Sequence, residues 1–165
     1  MYKRQARDIS SIALGFGILF MGMGVMSSSL NPLTQSDAFR NVVEIMGSNR
    51  FLGVLAGLGM TAIVQSSSAT TGMLIALATT GSIDIHVALP IILGCNIGTC
   101  ITAIIASIGA NKTAHKAAAI HLIFNIVGTI IFLPFLGLLG VAVTKMSPDV
   151  SRQIANAHTV FNIVN

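Results

Sequence analysis

Charged side chains punctuate this chain in clusters: none occurs in 9–36, 51–83, 85–111 or 117–144, and aliphatic residues dominate each of those runs. A helix rises about 1.5 Å per residue, so roughly 20 apolar residues cross the ~30 Å hydrocarbon core of a bilayer. Every run meets that length. The pattern predicts an all-α integral membrane protein whose first span is 9–30, with Pro32 ending it. Residues 33–50 then mix Asp37, Arg40 and Glu44 with Phe39, Val42, Val43, Ile45 and Met46. That mixture suits a short helix lying along the membrane surface.

The next run, 51–83, has 33 residues, too many for one ordinary span and too few for two spans and a turn. A re-entrant helical hairpin resolves the length. Its arms are 51–64 and 72–81, and its buried tip is the polar QSSSATT of 65–71. Irregular backbone at membrane depth is tolerated only where protein or a water-filled cavity satisfies it, so the tip is expected to line something. A span over 87–108 follows, with GCNIGT at 94–99 predicted to unwind it locally into a broken span. The competing reading of the same residues is a GxxxG packing face of Gly94 and Gly98.

Residues 117–143 form a further expected span, with His121, Asn125 and Thr129 at steps of four on one face and Pro134 in its far half. From 156 another helix begins and is cut short at 165. AIHLIFNIVG at 119–128 and NAHTVFNIVN at 156–165 share HxxFNIV. Residues 6–155 thus read as one membrane repeat unit. MYKRQ, residues 1–5, reads as a non-native scar and is set aside.

Composition agrees with the pattern. The 165 residues are 53% hydrophobic and 8% charged with mean hydropathy +0.84, which excludes an ordinary soluble domain. The net charge of +4 sits in the connections and gives no reason to expect a nucleic-acid partner. If the hairpin re-enters, Arg7 shares one side with Lys112 and Lys116, and Asp84 shares the other with Asp37 and Glu44. The basic side, which includes the N-terminus, is expected in the cytoplasm. Cys95 and Cys100 are spaced for neither a CxxC redox pair nor a zinc site, and read as small packing residues.

The polar residues within the apolar runs carry the candidate chemistry. Gln65, Ser66, Ser67, Ser68, Thr70, Thr71, Asn96 and Thr99 offer the oxygens that a hard cation such as sodium prefers, with Gln65, Ser66, Ser68 and Asn96 the first choice for Na+. An oxyanion needs the converse, N–H groups at broken-helix N-termini and hydroxyl donors. A hairpin tip facing a broken helix supplies both. With no charged side chain in these segments, a bound anion needs co-bound cations to balance it. His121 and Asn125 are secondary candidates, explained equally by an interhelical hydrogen bond. A serine hydrolase using His121 is a poor third reading, because no GxSxG elbow or orienting carboxylate is present. No catalytic residue and no cofactor is expected beyond Na+ as a coupling ion.

QSSSATT, then GCNIGTCITA, then HLIFN, in that order, resembles the sodium/phosphate cotransporter family of type II, over 12–165. The resemblance implies two inverted repeats whose re-entrant QSSS tips meet near the midplane to hold inorganic phosphate and sodium. Gln65, Ser66, Ser67 and Ser68 would then sit in the site, with Thr70 and Thr71 beside them and Asn96 and Thr99 facing them. One QSSS copy is present, so the partner repeat is expected elsewhere in the same protein. The flanking sequence looks like the second repeat of bacterial members. The implied function is sodium-coupled phosphate transport across the cytoplasmic membrane by alternating access. The alternative is a regulatory or exporting protein with a cytoplasmic PhoU-like domain.

Overall fold

The polar residues that interrupt the apolar runs become helix caps. In the computed structural model, which describes residues 2–165, all secondary structure is helical: α1 (Tyr2–Thr34), α2 (Asp37–Ser48), α3 (Arg50–Val64), α4 (Ser67–Thr79), α5 (Ile85–Ser107), α6 (Lys112–Phe132), α7 (Leu136–Met146) and α8 (Val150–Val164). Side-chain oxygens of Ser36, Asn49, Asp84, Asn111 and Asp149 accept backbone N–H groups at the starts of α2, α3, α5, α6 and α8. Each satisfies a donor that has no partner inside its helix. Gly81 and Gly109, both at positive φ, turn the chain before α5 and α6.

α5 is apolar on all sides and is accordingly the most buried helix, packed by α3, α4, α6, α7 and α8. Leu74 and Leu77 of α4, Ala88, Ile92 and Leu93 of α5, Val143 of α7, and Ile154, Ala157 and Phe161 of α8 form the core around it. The Phe132 and Phe161 rings meet edge to face with centroids 4.8 Å apart. Three helical stretches are long and apolar enough to cross a membrane: Arg4–Thr34, Ile85–Ser107 and Lys112–Met146. α1 is exposed along almost its entire length, with Phe16, Phe20 and Met21 each more than half accessible. Such a surface suits lipid or another membrane-embedded partner.

Several boundaries differ from the sequence expectation. α1 runs through Pro32 to Thr34, so the surface helix begins at Asp37, where Ser36 supplies a cap that Leu33 lacks. Of the MYKRQ stretch, Met1 lies outside the described residues, and the other four positions are the first turn of α1. The expected span 117–143 starts earlier, at the Asn111 cap, and is divided at Pro134 by a single 3-10 turn, Leu133–Phe135, where the ring removes a donor. α8 begins at Val150 rather than 156, because Asp149 caps it and its polar first turns are tied down, Gln153 donating to the Ser147 carbonyl at 2.9 Å.

The predicted unwinding at 94–99 does not occur. α5 is helical from Ile85 to Ser107, and its glycines have another use. A Cβ at Gly94 would collide with the Val54 carbonyl, and one at Gly98 would lie 2.7 Å from the Leu58 carbonyl and from Thr61. Across the interface, a Cβ at Gly57 would collide with the Ile91 carbonyl, and one at Gly53 would lie 3.0 Å from the Pro90 ring. Gly57 of α3 thus interlocks with α5, and Gly94 and Gly98 of α5 with α3, backbone on backbone, while Gly53 makes room for the Pro90 ring, as in small-residue packing of membrane helices. The pairing runs parallel, Gly53 beside Pro90 and Thr61 beside Gly98.

Candidate functional site

That parallel pairing fixes where QSSSATT lies. α3 and α4, of 15 and 13 residues, are about 22 and 20 Å long at the helical rise, while the 23 residues of α5 reach about 34 Å. α3 starts beside the first turns of α5, and α4 ends just before them. The pair is therefore a helical hairpin with both ends at one end of α5 and its tip part-way along it. The turn is made by Gln65 and Ser66 alone. Gln65 caps α3 in the left-handed region, φ 59°, its N–H donating to the Thr61 carbonyl at 2.6 Å. Ser66, extended, caps α4 by accepting the Ala69 N–H at 3.2 Å.

A second layer of hydrogen bonds ties the arms together. The Thr61 hydroxyl donates to Thr70 Oγ1 at 3.1 Å, and Thr70 Oγ1 donates to the Ser66 carbonyl at 3.0 Å, both threonines being fully buried. Thr70 is therefore spent on the inside of the tip. Gln65 and Ser68 are exposed, and Ser66 and Ser67 are half-buried. With Ser66 as the cap, the N–H groups of Ser67 and Ser68 stand at the open N-terminus of α4, without intrahelical acceptors. The tip thus presents amide and hydroxyl oxygens beside a partially positive helix end.

The sequence candidates outside the hairpin are placed differently. Asn96 is buried and donates Nδ2 to the Ile92 carbonyl at 3.1 Å, while Thr99 donates to the Asn96 carbonyl at 2.6 Å. Both are turned onto their own intact helix, within one turn of Gly98, which contacts Thr61. Asn125 is buried, and its Nδ2 donates to the His121 carbonyl at 2.9 Å. The Cys100 thiol reaches the same carbonyl at 3.6 Å, and Thr129 donates to the Leu93 carbonyl at 3.4 Å, so this face of α6 fastens it to α5. The His121 side chain is exposed. It lines a shallow pocket with Ala103, Ala106 and Ser107, a pocket that none of the QSSSATT residues lines. The serine–histidine pair of the hydrolase reading is not assembled. Cys95 and Cys100 are both buried and unpaired.

Sequence reasoning missed two participants. Thr61 looked like one more threonine in an apolar arm, and its role depends on the turn that brings Thr70 opposite. His158 looked like a copy of His121. It instead lines a cavity of about 460 Å³ between α1, α4 and α8, together with Ser68, Thr71 and Gly72 of the hairpin and Ile18, Leu19, Met23 and Met26 of α1. No Asp, Glu, Lys or Arg lines that cavity.

Three helical stretches long and apolar enough to span, in a chain whose secondary structure is all helical, define the class as an all-α membrane protein. The Na+/Pi-cotransporter family model matches residues 21–161, and the chain belongs to that family. It is 34% identical over 158 residues to the uncharacterized protein YqeW of Bacillus subtilis, covering 96% of this chain and 52% of that one. It is 26% identical over 160 residues to the putative inorganic phosphate export protein YjbB of Escherichia coli K12, 97% of this chain and 30% of that one. Over 88 residues it is 43% identical to the bovine sodium-dependent phosphate transport protein 2B, 51% of this chain and 13% of that one. The chain therefore spans about half the length of the Bacillus protein and less than a third of the Escherichia one. No solved structure matches it.

Proposed function

We propose that this chain is one repeat of a sodium-coupled inorganic phosphate transporter of the cytoplasmic membrane, working by alternating access. The observation that carries the reading is the hairpin tip. Its arms are too short to cross a bilayer, its turn exposes Gln65, and its second helix exposes Ser68 and points two open N–H groups outward. Such an arrangement inside a membrane suits a re-entrant hairpin that binds ions. Phosphate would take the N–H groups of Ser67 and Ser68 with the Thr71 hydroxyl. Sodium would take oxygens from Gln65, Ser66 and Ser68, while Asn96 and Thr99, bonded back onto α5, would shape the helix beside the tip. Thr70 would hold the tip's shape.

Apart from Arg50 at the far end of α3, no Lys or Arg stands in the hairpin or in α5 to neutralise the anion, so sodium would balance its charge. This makes binding of one ion depend on the other. Each net positive charge carried inward then gains about 2.3 kcal/mol per 100 mV. The other wall would come from the partner repeat of the same protein. The end of the molecule bearing Arg7, Lys112 and Lys116, with the N-terminus, would face the cytoplasm. Export is the second reading, favoured by the name of the Escherichia relative, and the hydroxyl and N–H chemistry of the tip suits either direction equally.

The test is uptake of radiolabelled phosphate into proteoliposomes holding the full-length protein, with and without an inward sodium gradient. Sodium-driven uptake, lost in Gln65→Ala, is the expected result. Uptake indifferent to sodium would sink the coupling. Phosphate movement only out of loaded vesicles would establish export.

A further inference from the structure

Two buried side-chain polar atoms lack a hydrogen-bond partner among the described residues, Thr71 Oγ1 and His158 Nε2, and both residues line the cavity between α1, α4 and α8. Thr71 is 5% exposed, so bulk water does not serve it. Buried polar groups are nearly always paired, and two exceptions at one cavity mark a place for a polar guest. Asn162 does not fill the role, although it follows His158 by one turn as Asn125 follows His121. Its Nδ2 donates to the His158 backbone carbonyl at 2.7 Å, as that of Asn125 does to His121. In both copies of HxxFN the asparagine braces its own helix and leaves the imidazole free. The copies differ in where that imidazole goes: His121 lies at the surface, and His158 lies half-buried against the hairpin.

We propose that His158 is a substrate contact, donating Nε2–H to an oxygen of the transported oxyanion while Ser68 and Thr71 donate their hydroxyls to it. The proposal rests on the phosphate-transport reading. The chemistry of the lining favours an anion over a cation at this atom: sodium prefers hard oxygen ligands, whereas an imidazole N–H is a strong donor to phosphate oxygen. No carboxylate lines the cavity to repel the anion. Ile18, Leu19, Met23 and Met26 make the α1 wall of the cavity apolar, and hydrogen bonds beside an apolar wall are stronger than in water. His158 also joins α8 to the hairpin through the substrate, so a bound anion would hold these two elements together.

The measurement is phosphate KM, maximal rate and sodium activation for full-length wild type, His158→Phe and His158→Gln in proteoliposomes. Losing one hydrogen bond to a charged group predicts a phosphate KM raised about tenfold in His158→Phe, with the sodium midpoint unchanged. The amide N–H of His158→Gln should restore most of the affinity. If His158→Phe is not monodisperse on gel filtration, His158→Ala takes its place. An unchanged KM in folded protein, or a fall confined to maximal rate in both variants, overturns the proposal and leaves the transport reading standing. Wild type that moves no phosphate overturns both.

Discussion

Gln65 is the sole non-glycine residue at positive φ among the described residues, and it stands at the tip of the hairpin. A residue with a Cβ pays about 1 kcal/mol to sit in the left-handed region, and glycine would sit there freely. Strain of this kind persists where the side chain is needed. One substitution separates the turn from the amide. Gln65→Gly should keep or raise the melting temperature by a degree or two while abolishing sodium-dependent uptake. Wild-type transport by Gln65→Gly would show that the position serves the turn alone. The tip's polar residues were legible in the sequence because they interrupt an apolar run. Thr61 and His158 were not, because what distinguishes them from Thr102 or His121 is the helix each one meets.

At the scale of elements, the central feature is the interlocked pair α3 and α5. GCNIGT carries the signature of a weak point in a helix and of a close helix contact alike, and sequence alone does not choose between them. The choice depends on Gly53 and Gly57 arriving in parallel register from 40 residues upstream, which removes the need to unwind. Backbone contact this close leaves no room for a side chain. Gly94→Val should therefore cost about 3 kcal/mol or more through overpacking, read as loss of monodisperse protein or a much lower melting temperature in detergent. Gly59→Val is the matched control, since a Cβ there meets nothing within 4 Å. Equal stability of the two variants would mean that the hairpin does not bear on α5. The all-helical, membrane-long character of the chain followed from charge spacing, whereas the division of 117–143 at Pro134 and the ends of α1 and α8 depended on local chemistry, the proline ring and caps at Ser36 and Asp149.

At the scale of the molecule, helix directions sort the charges into two ends. α1 runs alongside α4, Met26 beside Gly72 and Ser27 Oγ 3.3 Å from Thr79 Oγ1, so its N-terminus lies at the end toward which the tip points. The junction of α5 and α6 lies at that end too, with Lys112 and Lys116 in a connection free of acids. Arg40, Arg50, Lys145 and Arg152 lie at the other end, together with Asp37, Glu44, Asp84 and Asp149. The proposed orientation puts the short connection that carries Lys112 and Lys116 in the cytoplasm. Single cysteines in a background of Cys95→Ala and Cys100→Ala test both the orientation and the hairpin. A membrane-impermeant maleimide applied to intact cells should label Ser48→Cys, before α3, and Thr80→Cys, after α4. Ala110→Cys should react only once the membrane is opened. Reversal of all three would invert the orientation and keep the hairpin. Ser48→Cys and Thr80→Cys on opposite faces would mean that 51–83 crosses the membrane once, and QSSSATT would then be a polar patch within a span instead of the tip of an ion site.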